Sequence, residues 1–157
     1  MATDTATATG WRLGALVPAG LGLLVSAYLT IEHFSSSTTL ACPETSAINC
    51  TKVTTSSYSH FAGVPVALGG LIYFVVMIAL LSPPAWRVRA LDVVRVAAAA
   101  LGIVSVLYLL WAELFRIDAI CLWCTVVHLC TVAMFAGVLW YVVAARSEPG
   151  DPTTRRR

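Results

Sequence analysis

Four stretches of this chain contain no Asp, Glu, Lys or Arg: residues 13–31, 53–86, 96–112 and 119–145. A helix needs roughly 20 apolar residues, within a range of about 17–25, to cross the hydrocarbon core of a bilayer. The second stretch exceeds one span, and its opening part, residues 53–61, is polar and belongs to a loop. Its helix is predicted at 64–81, ending before Pro83-Pro84, which cannot continue one. Soluble domains carry about 25% charged residues, whereas this chain has 11% charged and 59% hydrophobic residues. The expected fold is therefore an all-α integral membrane protein with helices at 13–31, 64–81, 96–113 and 119–145. They form a four-transmembrane-helix bundle with an extracytoplasmic loop, residues 34–63, between helices one and two.

Residues 11–146 are expected to form that single domain, with residues 1–10 a disordered cytoplasmic tail and 147–157 a second tail. The first span resembles a signal peptide superficially, but its apolar core outruns the usual h-region of about 7–15 residues. Tyr28, Glu32 and His33 also make a poor cleavage site, so it is taken as a retained helix. Cytoplasmic loops of membrane proteins are enriched in Lys and Arg. With four spans, Arg12, Arg87, Arg89, Arg95, Arg146 and Arg155–Arg157 share one side, and Lys52 and Arg116 share the other. Both termini are thus placed in the cytoplasm of a multi-pass plasma-membrane protein. The partner surface is the lipid bilayer, and no nucleic-acid motif is seen.

The same count puts both cysteine pairs at the outer, oxidising face. Cys121-Leu122-Trp123-Cys124 is a CxxC at the start of the last span, and Cys42 and Cys50 lie in the outer loop. A cysteine in the first turn of a helix is stabilised as thiolate by free N–H groups and the helix dipole. Cys124 lies one turn deeper on the same face. The pair can pass electrons between protein disulfides outside and an oxidant dissolved in the membrane. The plainer alternative makes both cysteines packing residues. For Cys42 and Cys50, a structural disulfide worth roughly 2–3 kcal/mol and a redox shuttle fit the spacing equally.

His128 follows Cys124 by four residues and shares its face. Ionisable groups inside a membrane are functional candidates, although a hydrogen bond to a neighbouring helix would also account for it. Cys130 is rotated away and is expected to pack. Cys121, Cys124 and His128 make an incomplete metal set, because a structural zinc site needs four convergent ligands; no metal is expected.

These residues resemble the bacterial homologues of the vitamin K epoxide reductase family. The resemblance rests on four ordered cysteines, Thr54–Ser57 with Tyr58, and Gly63-Val64-Pro65-Val66-Ala67-Leu68-Gly69, and covers residues 13–145. It implies a four-helix bundle around a quinone, menaquinone or ubiquinone, capped by the loop. It also implies that Cys124 reacts with the quinone, that Cys121 exchanges with Cys50, and that Cys42 meets the redox partner. Ser56 corresponds to the family's loop serine, on a short helix over the bundle. Pro65 stands where the animal enzymes have a quinone-contacting Asn, and His128 stands where they have Tyr. Both departures favour quinone reduction over epoxide reduction.

Many bacterial relatives carry a fused thioredoxin-like domain after the last helix. None is seen here, so the expected partner is a separate extracytoplasmic thioredoxin-fold disulfide oxidase, with the membrane quinone pool as acceptor. His128, Ser56, Glu32, Glu113 and Asp118 are unranked candidates for moving the proton. The alternatives are an epoxide reductase proper and a non-enzymatic tetraspan protein with a structural loop disulfide.

Overall fold

The computed structural model describes residues 2–35, 40–85, 88 and 90–147. Helix α1 spans Ala2–Phe34. Residues 2–10, expected to be a disordered tail, are thus its opening turns: Ala2, Ala6 and Ala8 favour helix, and extending a formed helix costs little. Pro18 lies inside α1, where it leaves one carbonyl without its helical donor. Residues 148–157, the expected second tail, lie outside the described residues.

After α1 the chain runs to a five-residue helix, α2 (Cys50–Thr54), and a 3-10 turn at Ser57–Ser59. Asn49 caps α2, its Oδ1 accepting from the Lys52 N–H at 2.8 Å. Strands β1 (His60–Phe61) and β2 (Val64–Pro65) then pair antiparallel, His60 with Pro65 and Phe61 with Val64. Ala62 and Gly63 turn between them at φ 50° and 82°, the positive values that a two-residue hairpin of matching twist requires. Because Val64 and Pro65 join this hairpin, α3 opens at Val66 and runs to Leu80.

Helix α4 covers Leu91–Ala112 and continues as a π-helical turn, Glu113–Ile117. It begins five residues before the expected start, with Asp92 in its first turn, where the dipole favours a carboxylate. The expected loop at 114–118 is mostly this π turn, closed by Asp118 in the left-handed region at φ 53°. Helix α5 spans Leu122–Ser147, opening three residues later than expected because Ala119 and Ile120 are extended.

Three segments are long and apolar enough to cross a bilayer: Gly14–Phe34, Leu91–Ile117 and Leu122–Val143. Helix α3, with 15 residues, is about 22 Å long at about 1.5 Å per residue, short of the hydrocarbon thickness. Many large side chains on these helices face outward, Val17, Leu24, Leu101, Val104 and Leu129 among them. Such surfaces are stable in lipid and not in water. The chain is membrane-embedded.

Helix α1 packs against α3 and α5, and α4 against α5 and α3. Phe74 and Met77 of α3 and Leu81, its C-cap, meet Ala15 and Ala19 of α1 and Cys130, Met134 and Val138 of α5 in one buried cluster. Cys130 is thus a packing residue. Small residues permit the close approach: Gly22 leaves room for the Phe74 ring, and Gly102 for the Tyr73 hydroxyl. Of the Gly69-Gly70 pair, Gly70 faces Ser26, and the space beside Gly69 is open.

Arg95, assigned above to a basic loop, is instead a fully buried residue of α4. Its Nε–H donates to the Leu80 carbonyl at 2.8 Å, while its terminal nitrogens reach the Ala85 carbonyl and the Asp92 carboxylate. The guanidinium therefore ties the end of α3 to the start of α4. Arg95→Ala is expected to destabilise the protein by about 2 kcal/mol or more, the scale of leaving buried acceptors unpaired. Arg95→Lys should lose an intermediate amount, because an ammonium lacks the planar fork. Denaturant unfolding in detergent measures both.

Candidate functional site

The short pieces of the loop between α1 and α3 matter because of where they attach. Ile48 and Ile120 form an isolated parallel bridge. The Ile120 N–H donates to the Ala47 carbonyl at 2.9 Å, and the Asn49 N–H donates to the Ile120 carbonyl at 3.1 Å. Cys50 follows Asn49 and Cys121 follows Ile120, so this pairing delivers the two cysteines side by side. Both are completely buried, in one cluster with Val53, Ala112, Ile117 and Ala119. Cys42, Cys124, Trp123 and Tyr58 pack against that cluster.

Cys42 and Cys50 form a disulfide, and Cys121 and Cys124 are free thiols. The arm carrying Cys42 is held on both sides of one residue. The Ala41 N–H donates to the Tyr28 hydroxyl at 3.3 Å, and the Trp123 indole N–H donates to the Ala41 carbonyl at 3.1 Å. The Tyr28 and Trp123 rings lie 5.0 Å apart. Trp123, a residue inside the CxxC, thus fastens the loop to both α1 and α5.

Two further ties come from Lys52 and Arg116. Lys52 Nζ donates to the Asp118 carbonyl at 3.4 Å, and Arg116 Nε–H to the Tyr58 hydroxyl at 2.7 Å. The Arg116 guanidinium also lies 6.0 Å and 5.9 Å from the Tyr58 and Trp111 ring centroids, within cation–π range. Tyr28, Tyr58, Trp111 and Trp123 collect at this end of the helices, as aromatic residues do at a membrane–water boundary.

Cys121 is not in the first turn of α5 but caps it. The Thr125 N–H donates to the Cys121 carbonyl at 2.9 Å, and the Cys124 N–H donates to Cys121 Sγ at 3.3 Å. Its sulfur does what a Ser or Asp oxygen does at an N-cap, satisfying an otherwise open donor. Cys121 stands just ahead of the span Leu122–Val143. Its thiol is held below the usual range by a hydrogen bond from the Cys124 side chain, with smaller help from the backbone N–H groups of Cys124 and Trp123. Burial and the Glu113 carboxylate oppose the shift.

The other expected residues are placed differently. His128 is buried on α5, one turn beyond Cys124, and its Nδ1 has no hydrogen-bond partner. Ser56 lies between α2 and the 3-10 turn and donates its hydroxyl proton to the Val53 carbonyl at 2.8 Å. Pro65 pairs with His60 and caps α3. The sequence did not single out Tyr73, whose buried hydroxyl lies beside Gly102 and Thr131 and is also unpartnered. A Tyr in a helix of such uniform apolarity was the available signal.

The lowered Cys121 thiol gives a signed expectation. In a Cys130→Ala background, the Cys121 thiolate should appear, by its ultraviolet absorbance, at lower pH than an ordinary cysteine. Cys124→Ala removes the thiol donor and should move that step upward. A step unchanged by Cys124→Ala would count against this cause.

No curated protein matches this chain. Against family models, residues 14–139 match the Vitamin K epoxide reductase family. That match takes in the Cys42–Cys50 loop, the bridge at Ile120 and the CxxC capping α5 in a single run. The chain belongs to the vitamin K epoxide reductase family, a family of membrane oxidoreductases.

Proposed function

We infer that this protein oxidises an extracytoplasmic thiol partner and passes two electrons inward through its cysteines to a membrane quinone, in support of disulfide-bond formation. The observation that carries this reading is the arrangement of the sulfurs. Cys42 is half-buried at the loop surface, Cys50 and Cys121 share one buried cluster, and Cys124 follows on the inner side. A partner reaches Cys42, exchange runs between Cys50 and Cys121, and Cys124 faces the acceptor. The partner is a thioredoxin-fold oxidase, whose own disulfide is strongly oxidising at about −120 mV in the best-known case.

For this route the chain crosses the plasma membrane four times, α3 completing its span with β2 and the turn after Leu81. Both termini are cytoplasmic and the cysteines lie outside. Arg12, Arg87, Arg89, Arg146 and Arg155–Arg157, which argue for this orientation, have no described side chains.

Family members use quinones generally, and the interior suits one. A quinone offers two carbonyl acceptors and a flat apolar ring. The buried Tyr73 hydroxyl and His128 Nδ1 are unpartnered in an otherwise apolar interior. When bound, the quinone, menaquinone or ubiquinone, would accept two electrons and two protons. Ser56 already spends its proton on Val53, and Pro65 has no N–H to give, so donation to the carbonyls falls to His128 and Tyr73. Cys121, capping α5, is poised to ionise and to pair with Cys124 or Cys50. The buried walls around Cys50 and Cys121 exclude water and competing thiols.

The test follows quinone absorbance after mixing detergent-purified, pre-reduced protein with a menaquinone analogue. Wild type is expected to consume it, and Cys124→Ala to fall to the uncatalysed background. No consumption by folded wild type across several quinones overturns the reading.

A further inference from the structure

Thiol–disulfide exchange moves protons as well as electrons, because the attacking sulfur must be a thiolate and the departing sulfur ends as a thiol. Glu113 is placed to handle that proton. It opens the π turn, a local irregularity that recurs at functional sites, and its side chain is 3% exposed. The carboxylate accepts a hydrogen bond from the Cys121 backbone N–H, while its Oε2 has no partner. Its neighbours Ala112 and Ile117 share a buried cluster with Cys121, Cys124 packs against that cluster, and the Glu113 carbonyl accepts from the Ala119 N–H at 3.2 Å. A buried carboxylate with one unused oxygen is costly to keep.

The groups facing it come from two elements. Helix α5 brings Cys121 and Cys124, and α2 brings Cys50 into the cluster formed with Ala112 and Ile117 on either side of Glu113. Nearby cations point elsewhere: Lys52 to the Asp118 carbonyl and Arg116 to Tyr58. Asp118 is exposed and Glu113 is buried, which separates two acids that the sequence left equal.

We propose that Glu113 carries the proton between the cysteine pairs during internal disulfide exchange. This rests on the electron route inferred above. With the CxxC oxidised and the loop reduced, the Cys50 thiol gives its proton to Glu113 Oε2 and its sulfur bonds to Cys121. The Cys121–Cys124 bond breaks, its electron pair leaves on Cys124, and Glu113 returns the proton to that sulfur. In the second exchange Cys42 loses its proton to Glu113 and bonds to Cys50. The Cys50–Cys121 bond breaks, and the Cys121 sulfur is protonated in turn. Loop oxidation by two electrons balances CxxC reduction by two, and no proton is gained or lost.

The experiment starts from fully reduced, full-length protein in detergent, oxidised by a limiting menaquinone analogue. Samples are acid-quenched at intervals and alkylated, and their disulfides mapped, across about pH 6 to 10, which brackets thiol ionisation. Glu113→Gln keeps an acceptor for the Cys121 N–H but cannot carry a proton. It is expected to slow formation of Cys42–Cys50 on the order of a hundredfold near neutral pH, the scale of a lost general base. The deficit should close as rising pH ionises the thiols without help. Glu113→Asp should keep the wild-type profile at reduced rate.

Wild-type kinetics for Glu113→Gln, or a deficit of the same size at every pH, overturns the proposal; the second result would mark a structural role. If wild type leaves the quinone untouched, the electron route fails. Glu113 is then judged by the same mapping with diamide as oxidant.

Discussion

The register of the two cysteine-bearing segments depends on two hydrogen bonds made by one residue. Ile120 gives its N–H to Ala47 and its carbonyl to Asn49. Without that pairing, the loop between α1 and α3 would have only side-chain ties to the helices. With it, the residue before Cys50 and the residue before Cys121 are in register, and both cysteines turn into one dry cluster. Backbone bonds suit this task because their spacing is fixed by the chain and not by rotamers. The remaining ties, from Trp123, Lys52 and Arg116, surround this register and hold the cap to the helices.

The parts of the structure legible in the sequence are those set by local composition. Uninterrupted apolar runs located three segments long enough to cross a membrane, while the run at 64–81 gave a helix of 15 residues, and the spacing of Cys121 and Cys124 placed them one turn apart. What escaped depends on distant partners. Arg95 read as a loop charge, since only the packed ends of α3 and α4 supply the carbonyls that make its burial tolerable. Ala119 and Ile120 have apolar side chains that suit a helix, and they are extended because the loop needs a strand to pair with. The π turn at Glu113–Ile117 likewise has no local signature. The candidate site was legible in its cysteines and illegible in its acids, because burial distinguishes Glu113 from Asp118 and spacing does not.

The polar atoms of the interior follow one economy. Ser26, Thr30, Thr131 and Tyr73 lie between helices otherwise lined by Phe74, Met77 and Met134. Thr30 and Thr131 return their hydroxyl protons to carbonyls of their own helices, which satisfies them without a neighbour. Tyr73 and His128 have no such recourse. The Tyr73 hydroxyl and His128 Nδ1 stay without hydrogen-bond partners in that apolar interior.

The sulfur of Cys121 caps α5 and is also an atom that disulfide exchange would consume. A sulfur in a disulfide is a poorer acceptor than a thiolate, so the Cys124 N–H would be held less firmly once the bond forms. Helix end and oxidation state then share one thermodynamic cycle. Whatever free energy the cap lends to the first turn of α5 is lent equally to keeping the CxxC reduced. The fold thereby takes part in setting the reduction potential of its own cysteines, and the strength of a single helix cap becomes a tuning screw for how readily electrons leave.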